Sequence, residues 1–168
     1  MRTVVVAGGG PSGSIAAKNL APSNINVYLV EKDVKRIKPC GGGIPSRAFE
    51  EFNLPVSATY REVKTISVIS PKGLRVDMPL EGGPLLMVER EIFDRNLRDI
   101  AEKAGARLIE AEITSVEKRG RSLDITIIED GKEKNLKADF LIAADGVNSR
   151  VVSALSLAHL PCLYTMME

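Results

Sequence analysis

The run VVVAGGGPSGSIAA near the N-terminus narrows the fold more than any other stretch of this 168-residue chain. TVVVA, Thr3 to Ala7, is short, β-branched and bounded by glycine. That is the pattern of a parallel strand buried on both faces. SGSIAAKNLA follows with Ile15, Ala16, Leu20 and Ala21 at helical spacing, and Pro22 ends the helix. NVYLVEK, Asn26 to Lys32, reads as a second strand. Strand, tight turn, helix and strand in sequence make a βαβ unit with a right-handed crossover.

Gly8-x-Gly10-x-x-Gly13 sits between that first strand and the helix, the context that turns a weak pattern into a phosphate cradle. Gly8 permits the tight turn, Gly10 lets backbone approach a pyrophosphate, and Gly13 lets helix and strand pack closely. Pro11 and Ser12 open the helix, whose first N–H groups and positive dipole end face the anion. Glu31 ends the second strand 18 residues beyond Gly13, where an acid accepts hydrogen bonds from ribose hydroxyls. It would repel a 2′-phosphate, so the cradle suits FAD or NAD better than NADP. Lys32 beside it is taken with the same site. A Walker loop, G-x-x-x-x-G-K-[ST], is absent.

Farther along, VKTISVISPKGLRVDMPL reads as two strands around a Pro-Lys-Gly turn, and LLMVE as a third. REIFDRNLRDIAEKAG places Phe93, Leu97, Ile100, Ala101 and Ala104 on one helix face, with Gly105 at its C-terminus. RLIEAEITSVEKRG, LDITIIEDG and KNLKADFLIAADG each read as a strand. The fold class is α/β: a Rossmann-like domain with a parallel sheet and an antiparallel β insertion. Lys+Arg 23 against Asp+Glu 22 gives no hint of nucleic acid or an anionic surface as partner. Two cysteines, Cys40 and Cys162, form neither a disulfide framework nor a metal-ligand spacing, so no metal is expected. The N-terminal apolar run is too short for a membrane span or a signal peptide, and a cytoplasmic location is expected. His159 reads as surface or packing and Cys162 as core; Met78 and Met87 read as core, or as the wall of an apolar pocket.

ADFLIAADGVNSRV ends a buried strand on Asp145-Gly146. Together with the cradle it resembles the Asp-Gly fingerprint of the p-hydroxybenzoate hydroxylase-like FAD superfamily. MVEREIFDRNLRDIAEKAGA resembles that superfamily's Arg-x-x-(Leu/Phe) helix, which implies that Arg90 approaches FAD. KPCGGGIP, directly after the second strand, resembles the signature of FAD-dependent geranylgeranyl reductases, nearest the branch acting on geranylgeranyl diphosphate and geranylgeranyl-(bacterio)chlorophyll. That branch typically shows alanine where this chain has Gly43.

The resemblance implies a resident FAD, with NADPH or reduced ferredoxin as electron source, and saturation of isolated double bonds in a polyprenyl chain. It implies that residues 1–168 are an FAD-binding domain incomplete at its C-terminus, and that 60–89 begin a substrate-domain β insertion. Gly41, Gly42 and Gly43 would let backbone run beside the flavin, with Cys40 facing the reacting chain. An ordinary thiol is mostly protonated at neutral pH, so Cys40 could donate a proton or simply present a small apolar wall. A lipophilic substrate is compatible with peripheral membrane contact; the oligomeric state is not indicated. Two other readings stay open: a flavin monooxygenase of the same superfamily, and a dinucleotide-binding module without catalysis of its own.

Overall fold

A computed structural model describes residues 1–156; His159 and Cys162 lie outside the described residues. In chain order the elements begin with β1 (Thr3–Ala7), α1 (Pro11–Leu20) and β2 (Asn26–Glu31). They continue with β3 (Gly43–Pro45), α2 (Ser46–Glu51), β4 (Thr59–Val63), β5 (Thr65–Ile69), β6 (Arg75–Pro79), β7 (Leu85–Val88) and α3 (Arg90–Lys103). The last are β8 (Arg107–Glu110), β9 (Glu112–Arg119), β10 (Ser122–Glu129), β11 (Lys132–Ala138), β12 (Phe140–Ala143) and α4 (Arg150–Ala154). The described residues divide into two compact units: 1–36 with 94–156, and Ile37–Phe93.

The first unit is built on a parallel sheet of order β12-β1-β2-β8. Side chains alternate across it, so the valine run of β1 serves two cores at once. Val4 and Val6, with Val27 and Leu29, pack with Ala17 of α1 and Ala101 of α3. Val5 and Val30 face the other way, onto Val116, Ile125, Ile127 and Ala138 of the antiparallel meander β9-β10-β11. Helices on one face and a second sheet on the other bury Val4, Val5 and Val6 of β1 and Val27, Leu29 and Val30 of β2.

Two expected strands are each broken in two. The apolar pattern from Arg107 to Arg119 crosses from the parallel sheet to the meander at Ala111, whose N–H bonds the Glu31 carbonyl over 2.9 Å. The second break is at Asp139, where the carboxylate accepts the Thr3 N–H over 2.7 Å and the chain passes from β11 to β12. Apolar periodicity continues through both breaks, because each side of the break still faces the same core.

α3 follows the expected stripe. Phe93, Leu97 and Ala101 are buried and Ile100 and Ala104 half-buried. Gly105 adopts φ +109°, and the Ala106 N–H closes back on the Ala101 carbonyl over 3.0 Å. That is the left-handed C-terminal closure for which glycine is suited.

In the unit Ile37–Phe93, β5 and β6 pair as a two-stranded hairpin, and β3-β7-β4 form a three-stranded antiparallel sheet. Glycine and proline both disfavour the interior of regular elements, yet Gly43–Pro45 of the Cys-Gly loop pairs with β7. An edge position makes this tolerable, since Pro45 leaves no ladder donor unmet on its outer side. α2, directly after it, is a further short element that the sequence pattern does not announce. Among the described residues no helix is long and apolar enough to cross a membrane.

Candidate functional site

The cradle lies at the C-terminal end of β1, in the first unit. Gly8 takes φ +98°, and a Cβ there would stand 2.4 Å from the Ala144 carbonyl oxygen. A Cβ on Gly13 would stand 1.9 Å from the Gly8 oxygen. Both positions therefore require glycine, for contact with the chain just past β12 and for helix packing respectively. Gly10 is the N-cap of α1, Pro11 is its first residue, and Ser12 is exposed beside it. Among the described residues no side chain caps this helix, and no acid occupies its first turn. A helix N-terminus of this kind suits an anion.

Glu31 closes one side of the turn. Its Oε2 accepts the Gly9 N–H over 2.6 Å, and its Oε1 accepts the Asp33 N–H over 3.2 Å. A Cβ on Gly9 would come within 2.8 Å of Glu31 Cβ and 3.1 Å of Arg98 Cδ. The motif leaves the Gly9 position open to any residue, but the packing does not. Arg98, buried on α3, donates to the Gly9 carbonyl over 3.3 Å and to the Val34 carbonyl over 2.7 Å. Sequence reasoning missed Gly9 and Arg98. The only signals were a third consecutive glycine and a cation flanking the apolar stripe of α3.

Asp145 and Gly146 stand on the loop after β12, beside the Gly8 turn, which Ala144 touches. Asp145 Oδ2 caps α4, accepting the Arg150 N–H over 2.7 Å and the Val151 N–H over 3.3 Å. Its Oδ1 is buried and has no hydrogen-bond partner among the described residues. A buried carboxylate oxygen without a donor is costly, and it suits a hydroxyl supplied by a ligand or a water. Gly146 takes φ +83° with open space where its Cβ would be. Lys32 turns instead to Glu112, 2.9 Å away, and Arg150 meets the same carboxylate at 2.9 Å. The Lys32 hydrogen bond holds the Glu112 carboxyl below its ordinary value; burial opposes it, and the Arg150 charge adds a smaller lowering.

The cysteine loop belongs to the other unit. Cys40 is exposed, and its sulfur accepts the Gly42 N–H over 3.4 Å. Gly42 takes φ +74°, and a Cβ there would stand 2.3 Å from the Val88 oxygen; its own carbonyl accepts the Val88 N–H over 2.9 Å. Gly41 is exposed. A Cβ on Gly43 would meet Met87 Sδ at 3.5 Å, ordinary contact, so the alanine typical of the resembled branch fits here. Arg90 heads α3 and is half-buried within this unit.

An uncapped helix N-terminus, glycines that no Cβ could replace, an acid beside the turn and an orphaned carboxylate oxygen together fit an adenine-dinucleotide diphosphate. Among the described residues no group of side chains could hold a metal ion. A family model described as FAD binding domain matches residues 1–162. The chain is 36% identical over 166 residues to the geranylgeranyl diphosphate reductase of Rhodobacter capsulatus, covering 97% of this chain and 42% of that protein. It is 38% identical to the chloroplastic geranylgeranyl diphosphate reductase of Arabidopsis thaliana, covering 90% of this chain and 35% of that one. A crystal structure of a geranylgeranyl bacteriochlorophyll reductase-like protein from Thermoplasma acidophilum superposes with a TM-score of 0.82 at 28% identity, covering 94% of this chain and 43% of that one. The chain thus spans about two-fifths of the curated relatives it matches.

Proposed function

The chain belongs to the FAD binding domain family, and on that premise we propose that it is the cofactor-holding part of a flavin-dependent geranylgeranyl reductase. The reaction is saturation of isolated double bonds in a geranylgeranyl chain, carried as the diphosphate or as a chlorophyll-type ester. The observation that carries this reading is one chain holding both the uncapped cradle with Glu31 and the KPCGGGIP loop, and aligning over 97% of its length with a geranylgeranyl diphosphate reductase.

Gly8, Gly10, Pro11, Ser12 and Gly13 would hold the diphosphate, and Glu31 the adjacent ribose. Asp145 would offer Oδ1 to a cofactor hydroxyl, and Gly146 leaves the space beside it open. Arg90, Gly41, Gly42 and Gly43 are assigned to the cofactor on the likeness of their motifs, and Lys32 on its place beside Glu31. Bound flavin supplies hydride to one alkene carbon, reloaded by NADPH or reduced ferredoxin. An isolated alkene has no carbonyl to absorb charge, so the surrounding protein must exclude water and orient the chain. Cys40 is assigned to the substrate, either giving the proton to the second carbon or walling the chain. Residues 60–89 begin the substrate domain, and the protein works in the cytoplasm, in peripheral contact with a membrane where its lipophilic substrate resides.

The test uses the full-length protein, reduced anaerobically and mixed with geranylgeranyl diphosphate. Flavin reoxidation with a gain of one H2 per reduced bond in the product supports the reading. Substrate-dependent oxygen uptake that yields a hydroxylated product, or protein that takes up no FAD, overturns it. Cys40→Ala and Cys40→Ser that both reduce every bond at the wild-type rate would remove Cys40 from the chemistry.

A further inference from the structure

Arg98 is a cation only 8% exposed, set behind the cradle with its guanidinium on two backbone carbonyls. Burying a guanidinium is costly, and carbonyl oxygens recover part of that cost without cancelling the charge. The acceptors are not arbitrary. Gly9 is the centre of the phosphate turn, and Val34 lies just past Glu31, which grips the Gly9 N–H from the other side. Ser14 Oγ also donates to the Gly9 carbonyl, over 3.1 Å.

A trans peptide holds its C=O and N–H antiparallel. Fixing the Gly9 carbonyl on Arg98 and Ser14 therefore turns the Gly10 N–H the opposite way, out of the Arg98 side. We propose that Arg98 is a positioning residue for the adenine-dinucleotide diphosphate: it locks the Gly9–Gly10 peptide with its N–H offered to the anion, and tethers the segment after Glu31 so that the acid stays beside the turn. This rests on the FAD reading above. The arrangement separates roles, since Arg98 acts through backbone and leaves the anion to the amides. Its retained positive charge adds to the field of the α1 N-terminus.

The experiment is fluorescence titration of the full-length apoprotein with FAD, alongside its thermal midpoint. Arg98→Met is expected to weaken FAD binding about tenfold, the factor one hydrogen bond involving a charged group is worth, with the apoprotein midpoint little changed. Arg98→Lys, which keeps the charge and one reachable carbonyl, is expected to fall between. In a double-mutant cycle with Glu31→Gln the two losses should be less than additive, because both residues act on the Gly9 peptides. Arg98→Met binding FAD as the wild type does, or losses that simply add, would overturn the role of Arg98 while leaving the FAD reading intact. If Arg98→Met does not fold, Arg98→Lys decides, and unchanged affinity there overturns the role. Wild-type apoprotein that binds no FAD removes both.

Discussion

The Gly9 amide donates to Oε2 of Glu31 over 2.6 Å, joining residues 22 apart in sequence. The acid expected to hold a sugar is thus already fastened to the turn that would hold the phosphates. A carboxylate offers about four acceptor sites, so lone pairs remain for ribose hydroxyls. Glu31→Gln keeps the size but sets an amide NH2 against either the Gly9 or the Asp33 N–H. Affinity for FAD should fall about tenfold, as measured by flavin fluorescence titration. An unchanged dissociation constant would take Glu31 out of the site.

Gly13 tolerates no side chain, because its Cβ would lie 1.9 Å from the Gly8 oxygen. Gly13→Ala must push α1 away from the turn, at a cost of about 3 kcal/mol. The purified variant should be colourless under conditions where the wild type is yellow, and should unfold at lower urea concentration. Yellow protein of normal stability would contradict this geometry.

Neighbouring glycines of the cysteine loop should respond in opposite directions. Gly42→Ala meets both a left-handed backbone at φ +74° and the Val88 oxygen at 2.3 Å, and should lose about 3 kcal/mol. Gly43→Ala makes ordinary contacts, Met87 Sδ at 3.5 Å and Leu85 Cδ1 at 3.7 Å, and should gain about 0.5 kcal/mol by restricting the unfolded chain. Urea denaturation of the two variants checks the contrast.

Glu112 sets a pH signature. Its folded carboxyl titrates below its ordinary value, first through the Lys32 hydrogen bond and then through Arg150. A depressed folded value means stabilisation that is present above the ordinary carboxylate range and lost as pH falls through the folded value. The Lys32 side chain is 62% exposed and that of Glu112 27%, so solvent screening holds the effect to about 0.5 kcal/mol. Glu112→Gln should therefore be slightly less stable at pH 7 and converge with the wild type in acid. High salt should shrink the difference at pH 7.

The βαβ start was legible because its signals are local: a valine run, glycines at fixed offsets and an acid one strand later. The helix ending at Gly105 was legible for the same reason. What the sequence concealed depends on distant partners. Arg98 meets Gly9 across 89 residues, and nothing near Arg98 in sequence marks it as anything but a surface cation beside Leu97. The division at Ala111 was hidden because Ile109 and Val116 face one core from two different sheets. Gly43–Pro45 lacks any alternation, so only its partner β7 makes it a strand. Lys32 follows Glu31 in sequence, yet Glu31 faces the turn while the Lys32 amine goes to Glu112.

The pairing of Val4 with Phe140 places the two sides of the central strand far apart in the order of synthesis. The Gly8 turn abuts Ala144, so its outer wall does not exist until that residue has left the ribosome. At ordinary translation rates the interval is on the order of ten seconds. During that time the nascent valine strand needs a temporary cover, and flavin loading can begin only after the wait is over.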